Sequence, residues 1–351
     1  MSASRKNKRS RAKPYQPTLR DRMNGLIAGF IISQLVFVAA RLGIADALRG
    51  GPQSVAALAR RVGAHPPFLY RLLRALAGVG VFAENADGRF RLTPLARTLC
   101  SDEPNSLHGW ALQAASPSSW SAFSATLFSI TTGGLAFDHA LGAPLFEYFR
   151  QRPEESKIFS AAMASLSGPE NEEIAKGYPF ERISRLVDVG GAHGHLLATI
   201  LRRHRKLRGV LFDVPHTVAT AAQSGFISAP DVRDRCETVG GDFFKAVPAG
   251  ADAYLMKYIL HDWTDDQCVE ILMNCRAAMA PGGRILVADM VIPRGNTLHP
   301  SKIMDVSMMV MTGGRERTRA EFADVFRRSG LRLKRIYPVG GTVSIVEAVA
   351  A

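Results

Sequence analysis

The side chains able to do chemistry gather in the second half of the chain, each beside the end of an apolar run. LVDVGGAHGHL, residues 186–196, carries an apolar strand into a glycine-dense turn and on into LLATILRRH, which has helical spacing. Small residues at such a corner let the backbone come close to a ligand, and the following helix aims its free N–H groups at it. Asp213 lies 23 residues beyond Gly190, after a second apolar run, GVLFD. An acid at that distance commonly holds ribose hydroxyls. A dinucleotide fingerprint would need glycine at 192 and 195, which are Ala192 and His195, so NAD is disfavoured. Taken alone, the turn also fits a plain strand-to-helix connection, and its neighbours decide.

Those neighbours continue along the chain. Asp242 beside Phe243 offers a carboxylate to an exocyclic amine and a ring face to a purine; a loop acid beside a core phenylalanine is the plainer alternative. Lys257 stands in an otherwise apolar strand, where an unpaired charge is costly, so it should reach polar groups at a cleft. His261 follows four residues later in HDW, at a strand-to-helix junction. A lone histidine is commonly structural, but one among carboxylates at a cleft is suited to proton transfer. Asp289 ends a further apolar run, and Glu316 follows the Gly313-Gly314 pair.

The elements that must position these groups are strands alternating with helices. LVDVG, GVLFD, CETVGGDF, DAYLMKYIL and GRILVADMV are separated by helical segments, which implies a doubly wound α/β sheet with its ligand at the C-terminal strand ends. LRLKRIYPV and TVSIVEAV, joined at Gly340-Gly341, form an antiparallel hairpin at one edge.

The N-terminal half has another organisation. A helix is expected over 21–49, stopped by Gly50-Gly51-Pro52, with RLGIADAL continuing it unbroken. Ser54 then caps VAALARRVG, Pro66 and Pro67 open a second helix, and VFAENADGRFRLT makes a hairpin around Asp87-Gly88: a winged helix. Tyr70, Arg71 and Arg74 on its second helix allow a DNA-binding reading; a mostly apolar helix fused to a cofactor corner favours a dimerisation module. Residues 101–180 are helical and rich in Trp and Phe, suited to wall an aromatic pocket. The expected divisions are a basic leader at 1–17, a winged-helix-like dimerisation domain at 18–105, a pocket-lining helical connector at 106–180 and a catalytic domain at 181–351.

Of the net charge of +13, six units sit in the first 14 residues, leaving +7 for the rest. Such a tail can contact nucleic acid or anionic lipid, or be solvated and disordered. Residues 23–40 are uncharged and apolar, but Asn24, Ser33 and Gln34 interrupt them, so a buried helix, in a core or against a second subunit, is expected and not a membrane span. The four cysteines have no metal spacing and no C-x-x-C pair, so no metal is expected, and a cytoplasmic setting is.

In order and spacing, LVDVGGAHGHL, FDVPH, GGDFF, MKYILHDW and GGRERT resemble the caffeate-type, class II, S-adenosylmethionine-dependent small-molecule O-methyltransferases. GFIISQLVFVAARLGIADAL and HPPFLYRLLRALAGVGVF resemble that family's N-terminal dimerisation domain, so the likeness covers nearly the whole chain. The resemblance implies a Rossmann-like fold, a homodimer, S-adenosylmethionine as cofactor and a small aromatic acceptor. It implies that Gly190 approaches the methionine part, Asp213 holds the ribose, Asp242 and Phe243 take the adenine, and Lys257 contacts the cofactor. His261 would be the general base, Asp289 and Glu316 would flank its imidazole, and Phe159, Met163 and Met308 would hold the acceptor ring. The chain departs from the pattern at Ala192, where a third glycine is common, at Asp289, where glutamate is usual, and at Leu166, where plant members often carry a polar residue.

The chemistry expected is in-line displacement of the sulfonium methyl by an acceptor oxygen. A phenol titrates at about 10 and a reference imidazole at about 6.5, so a neutral His261 can take the proton as attack develops. Two other readings remain: a ligand-responsive winged-helix DNA-binding regulator, and an enzyme of the same fold that uses the cofactor for hydroxylation or decarboxylation.

Overall fold

The computed structural model describes residues 17–103 and 105–351. The acid-free basic leader therefore lies outside the described residues. Contacts divide the chain into two compact units, one up to Cys100 and one from Ser101 on.

In the first unit, α1 (Leu19–Arg41) begins with a capping box between Thr18 and Asp21. The expected continuous helix over 21–49 breaks at Gly43, whose left-handed φ of 63° ends one helix and caps the next, α2 (Ile44–Ala47). Of the two covers expected for α1, a core does not enclose most of it: Leu19, Met23, Leu26, Ile27, Phe30 and Ile31 are exposed, and only Ala39 and Ala40 are buried. By length and composition alone α1 is long and apolar enough to cross a bilayer, a test that core helices also pass. The winged helix forms as anticipated. Ser54 caps α3 (Val55–Val62), and two prolines open α4 (Pro66–Gly78). The short strands β1 (Gln53–Ser54), β2 (Phe82–Glu84) and β3 (Arg89–Leu92) pair antiparallel in the order β1-β3-β2, followed by α5 (Pro94–Arg97). Leu58, Leu69, Leu73, Phe82 and Phe90 fill this unit's interior.

The second unit opens with α6 (His108–Ala114), α7 (Pro117–Ser124), α8 (Thr126–Thr132), α9 (Ala136–Leu141), α10 (Leu145–Arg150) and the 25-residue α11 (Pro153–Gly177). Strands and helices then alternate: β4 (Arg185–Val189), α12 (His195–Arg203), β5 (Arg208–Asp213), α13 (Pro215–Ala221), β6 (Cys236–Gly240), β7 (Ala251–Lys257), α14 (Asp265–Ala278) and β8 (Met279–Ile292). The chain ends with α15 (Pro300–Met311), β9 (Arg317–Thr318), α16 (Arg319–Arg328), β10 (Leu331–Gly340) and β11 (Val343–Ala350).

The sheet runs β10-β11-β8-β7-β4-β5-β6, with β9 on β8. β4, β5, β6, β7 and β8 are parallel, and β10 and β11 form the antiparallel edge hairpin. Central strands such as VLF and AYLM are buried end to end because helices cover both faces. On one side Leu197, Ile200 and Leu201 of α12 pack with Ile174 of α11; on the other Ile271 and Leu272 of α14 pack with Phe322 and Phe326 of α16. From β4 the chain goes to β5 and β6 on one side and returns to β7 and β8 on the other. The crevice between the C-terminal ends of β4 and β7 is therefore the topological switch point, where this architecture binds ligands.

Candidate active site

Three loops close around that crevice. After β4, Gly190 adopts φ 72°, and a Cβ on it would strike Ile259; one on Gly191 would come within 2.6 Å of Asp188 Oδ2, so no side chain fits at either. Ala192 is also left-handed, at φ 50°. Its N–H donates to Asp213 Oδ2 at 2.9 Å, and the N–H of Val214 donates to Oδ1 at 2.7 Å. Asp213 thus braces the turn from the end of β5, and its remaining lone pairs are free to accept from a ligand. After β6, the N–H of Gly241 donates to the Asp213 carbonyl, and Asp242 Oδ1 accepts the N–H of Phe244. Phe243 lies 3.9 Å from the Cβ position of Gly190, with Trp263 edge-on at 6.0 Å.

Beneath the turn sit groups that the sequence reading missed. Asp188 is 1% exposed and its Oδ2 has no partner. Burial first, and Asp213 next, raise its carboxyl to about 7, against the pull of Lys257. Its signal was visible as an acid inside an apolar run. Lys257 reaches polar groups as expected, placing Nζ 2.7 Å from Asn171 Oδ1 and 3.3 Å from Glu170 Oε2, both on α11. Burial lowers its proton affinity while Glu170, Asp188 and Asp289 raise it.

His261 lies in the 3-10 turn Leu260–Asp262 between β7 and α14. Its Nδ1 is 2.8 Å from Glu316 Oε1, and Glu316 is 1% exposed. An ionised carboxylate only accepts, so Nδ1 carries the proton and Nε2 is left to take one. Nε2 has Asp262 Oδ1 at 3.7 Å. Burial pulls the imidazole down, but Asp262, Glu316 and Asp289 outweigh it and raise it to about 9. The carboxylates around the ring thus hold its proton more tightly than its reference value implies.

Asp289 lies close enough to the imidazole to raise its proton affinity, but its hydrogen bond goes elsewhere: Oδ1 accepts the backbone N–H of Tyr258 at 3.1 Å, and the buried Oδ2 has no partner. The side chain is one methylene shorter than the usual glutamate, and Tyr258 comes first within its reach. Burial leads the rise of its carboxyl to about 8.

The GGRERT segment locks this arrangement. A Cβ on Gly314 would overlap the carbonyl of His261, so only glycine permits the two backbones to meet. The N–H of Glu316 donates to Asp305 Oδ1 of α15 at 2.9 Å. Arg317, 1% exposed, donates to the carbonyls of Leu260 at 2.8 Å and Trp263 at 3.1 Å and to Asp265 Oδ1 at 2.7 Å. It therefore clamps both ends of the turn that bears His261. Thr264 caps α14 with a capping box to Gln267, fixing the exit of that turn. Sequence reading missed Arg317; its signal was an arginine beside Glu316 in the same motif.

On the acceptor side, Phe159 of α11 stacks on Phe149 at 4.7 Å and joins a cluster with Met309, Val310 and Met311 of α15. Met163 lies one turn along α11 and is 38% exposed, and Met308 is half-buried on α15. Phe159 of α11 thus shares one apolar cluster with residues of α15. Among the described residues, no three His, Cys, Asp or Glu side chains form a group that could hold a metal ion.

Residues 120–332 match the O-methyltransferase domain family, and residues 24–102 match the O-methyltransferase dimerisation domain. The chain is 38% identical over 342 residues to a phenazine O-methyltransferase of Lysobacter antibioticus, covering 97% of this chain and 98% of that one. It is 37% identical over 330 residues to a mitomycin biosynthesis 6-O-methyltransferase of Streptomyces lavendulae, covering 93% of each. The crystal structure of CalO1, a methyltransferase in calicheamicin biosynthesis, in its SAH-bound form, is similar at TM-score 0.85 and 35% identity, over 96% of this chain and 100% of that one.

Proposed function

This chain belongs to the O-methyltransferase family and takes its methyl group from S-adenosylmethionine, and on that premise we propose that it methylates a phenolic hydroxyl of a small aromatic molecule with His261 as general base. Bound S-adenosylmethionine supplies an electrophilic methyl group on a sulfonium cation. Gly190 would admit its methionine part, Asp213 would accept from the ribose hydroxyls, Asp242 and Phe243 would receive the adenine, and Lys257 would contact the cofactor. The glycine cradle, the free lone pairs of Asp213 and the aromatic wall of Phe243 and Trp263 support that assignment.

The observation that carries the reading is the bond from His261 Nδ1 to buried Glu316 at the switch-point crevice. Glu316 holds the tautomer, so Nε2 faces the hydroxyl and takes its proton; the carboxylates around the ring then stabilise the imidazolium that forms. The carboxylates raise the proton affinity of the ring, and a cation delivered into the same crevice lowers it again toward the range of a general base. Phe159, Met163 and Met308 enclose the acceptor and orient its hydroxyl. The phenazine and mitomycin enzymes among the relatives support a fused-ring acceptor.

The functional divisions are those of 18–105, 106–180 and 181–351, with the first forming a homodimer. The exposed apolar residues Leu26, Ile27, Phe30 and Ile31 of α1 lie within the dimerisation match, which supports a second copy as their cover. Light scattering that gave a monomer would refute the dimer. For the reaction, labelled S-adenosylmethionine is incubated with a panel of phenols. Label should reach an acceptor oxygen, and His261→Gln should bind the cofactor normally by calorimetry while losing about 10²–10⁴-fold in turnover. Undiminished transfer by the variant would refute the base assignment.

A further inference from the structure

We propose that Tyr258 is a positioning residue whose ring joins His261 to Lys257, so that the base and the cofactor-side lysine share one aromatic surface. The inference rests on the roles given above to those two residues. Tyr258 is one of three non-glycine residues with positive φ among the described residues, at 54°. Side chains rarely hold that conformation unless their surroundings enforce it. Here the enforcement is visible. Its N–H is held by Asp289 Oδ1 at 3.1 Å and by the Ala288 carbonyl at 3.2 Å, and its hydroxyl donates to Glu170 Oε1 at 2.8 Å.

The backbone turn directs the phenol ring onto the imidazole: the ring centroids are 5.1 Å apart and the planes 23° from parallel. Lys257 Nζ lies 5.4 Å from the centroid of the same ring, and Glu170, which anchors the hydroxyl, also pairs with Lys257 at 3.3 Å. A phenol face carries negative potential, so it favours the imidazolium over the neutral ring. Burial and the Glu170 carboxylate both hold the phenol in its protonated, donating form. Asp289 thereby acts on His261 in two ways, directly by its charge and through the backbone N–H that holds Tyr258 in place. The other groups facing the imidazole are Asp262 on its own turn and Glu316 from the segment before β9.

The test reads His261 directly. Its imidazole titration is followed by NMR in the cofactor-free enzyme, with the signal assigned by its loss in His261→Gln. Tyr258→Leu should lower the midpoint by about half a unit to one unit, a three- to tenfold weaker hold on the proton. Tyr258→Phe keeps the ring and should retain most of the wild-type midpoint, while losing the anchor to Glu170. In turnover, the acid limb of the rate profile should move to lower pH in Tyr258→Leu. An unchanged midpoint in a Tyr258→Leu protein with a wild-type melting profile would overturn the proposal. If Tyr258→Leu fails to fold, a Tyr258→Phe midpoint displaced by more than about one unit would overturn it instead, because the retained ring should suffice. The titration does not depend on which group is the base, whereas full turnover by His261→Gln would sink the base assignment and leave the titration result standing.

Discussion

Replacing Glu316 by glutamine separates two things that its carboxylate does for His261. The amide oxygen can still accept from Nδ1, so the tautomer is kept, but the negative charge is removed. Asp262, Glu316 and Asp289 raise the proton affinity of His261 from its reference of 6.5 to about 9, a stabilisation of the imidazolium on the order of 3 kcal/mol net of the opposing burial. Of the three carboxylates responsible, Glu316 alone makes a direct bond, at 2.8 Å, and its side chain is wholly buried. A charge-assisted hydrogen bond contributes about 1.5–3 kcal/mol, so one to two units of the shift should leave with the charge. The acid limb of kcat/KM, which reports the free enzyme, should then move from near 9 to roughly 7–8. The plateau at high pH should fall by about 10- to 100-fold, because the imidazolium formed during transfer loses its closest counter-charge. Initial rates with labelled cofactor across about pH 6–10 measure both. An acid limb that stays in place in Glu316→Gln would refute the reasoning, since it would mean that another group controls the profile.

Other perturbations test the rest of the rim. Asp213→Ala should weaken S-adenosylmethionine binding by roughly tenfold or more, since both the ribose acceptor and the brace on Ala192 are lost; equal affinity by calorimetry would remove that role. Arg317→Met leaves the carbonyls of Leu260 and Trp263 and the Asp265 carboxylate without their donor, and should cost about 3–5 kcal/mol in denaturant unfolding. A loss below about 1 kcal/mol would show that the clamp is dispensable. Asp188→Asn concerns pH. Burial raises the folded carboxyl to about 7, so the folded state holds the proton more tightly than the unfolded chain; the stability this confers is present at low pH and is lost as pH rises from about 4 through 7. The variant escapes that loss, so its cofactor-free unfolding free energy should gain on the wild type at about pH 8 relative to about pH 5, by no more than roughly 4 kcal/mol in denaturant unfolding. A gain at the acid end would reverse the assignment.

The seven principal strands, the winged helix and the glycine corner were legible in the sequence because each depends on local pattern: apolar runs buried on both faces, caps at Ser54, prolines at 66 and 67, and glycines where no side chain fits. Resemblance of the ordered motifs added the site residues, and the chain does bring Gly190, Asp213, Phe243, Lys257, His261 and Glu316 to one rim. What local pattern could not reach were partnerships across long separations. Lys257 meets Asn171 from 86 residues away, Tyr258 meets Glu170 from 88, and Arg317 meets Leu260 from 57. Each is set by which helix lands on which strand end, and periodicity carries no information about that. The same holds for Asp289, whose place on the strand was foreseen but whose hydrogen bond went to Tyr258, because a shorter side chain and a backbone turn at positive φ decided which donor it met. Proton affinities follow suit: residue type sets the reference at which His261 would titrate, and only packing against Asp262, Glu316 and Asp289 raises its hold on the proton.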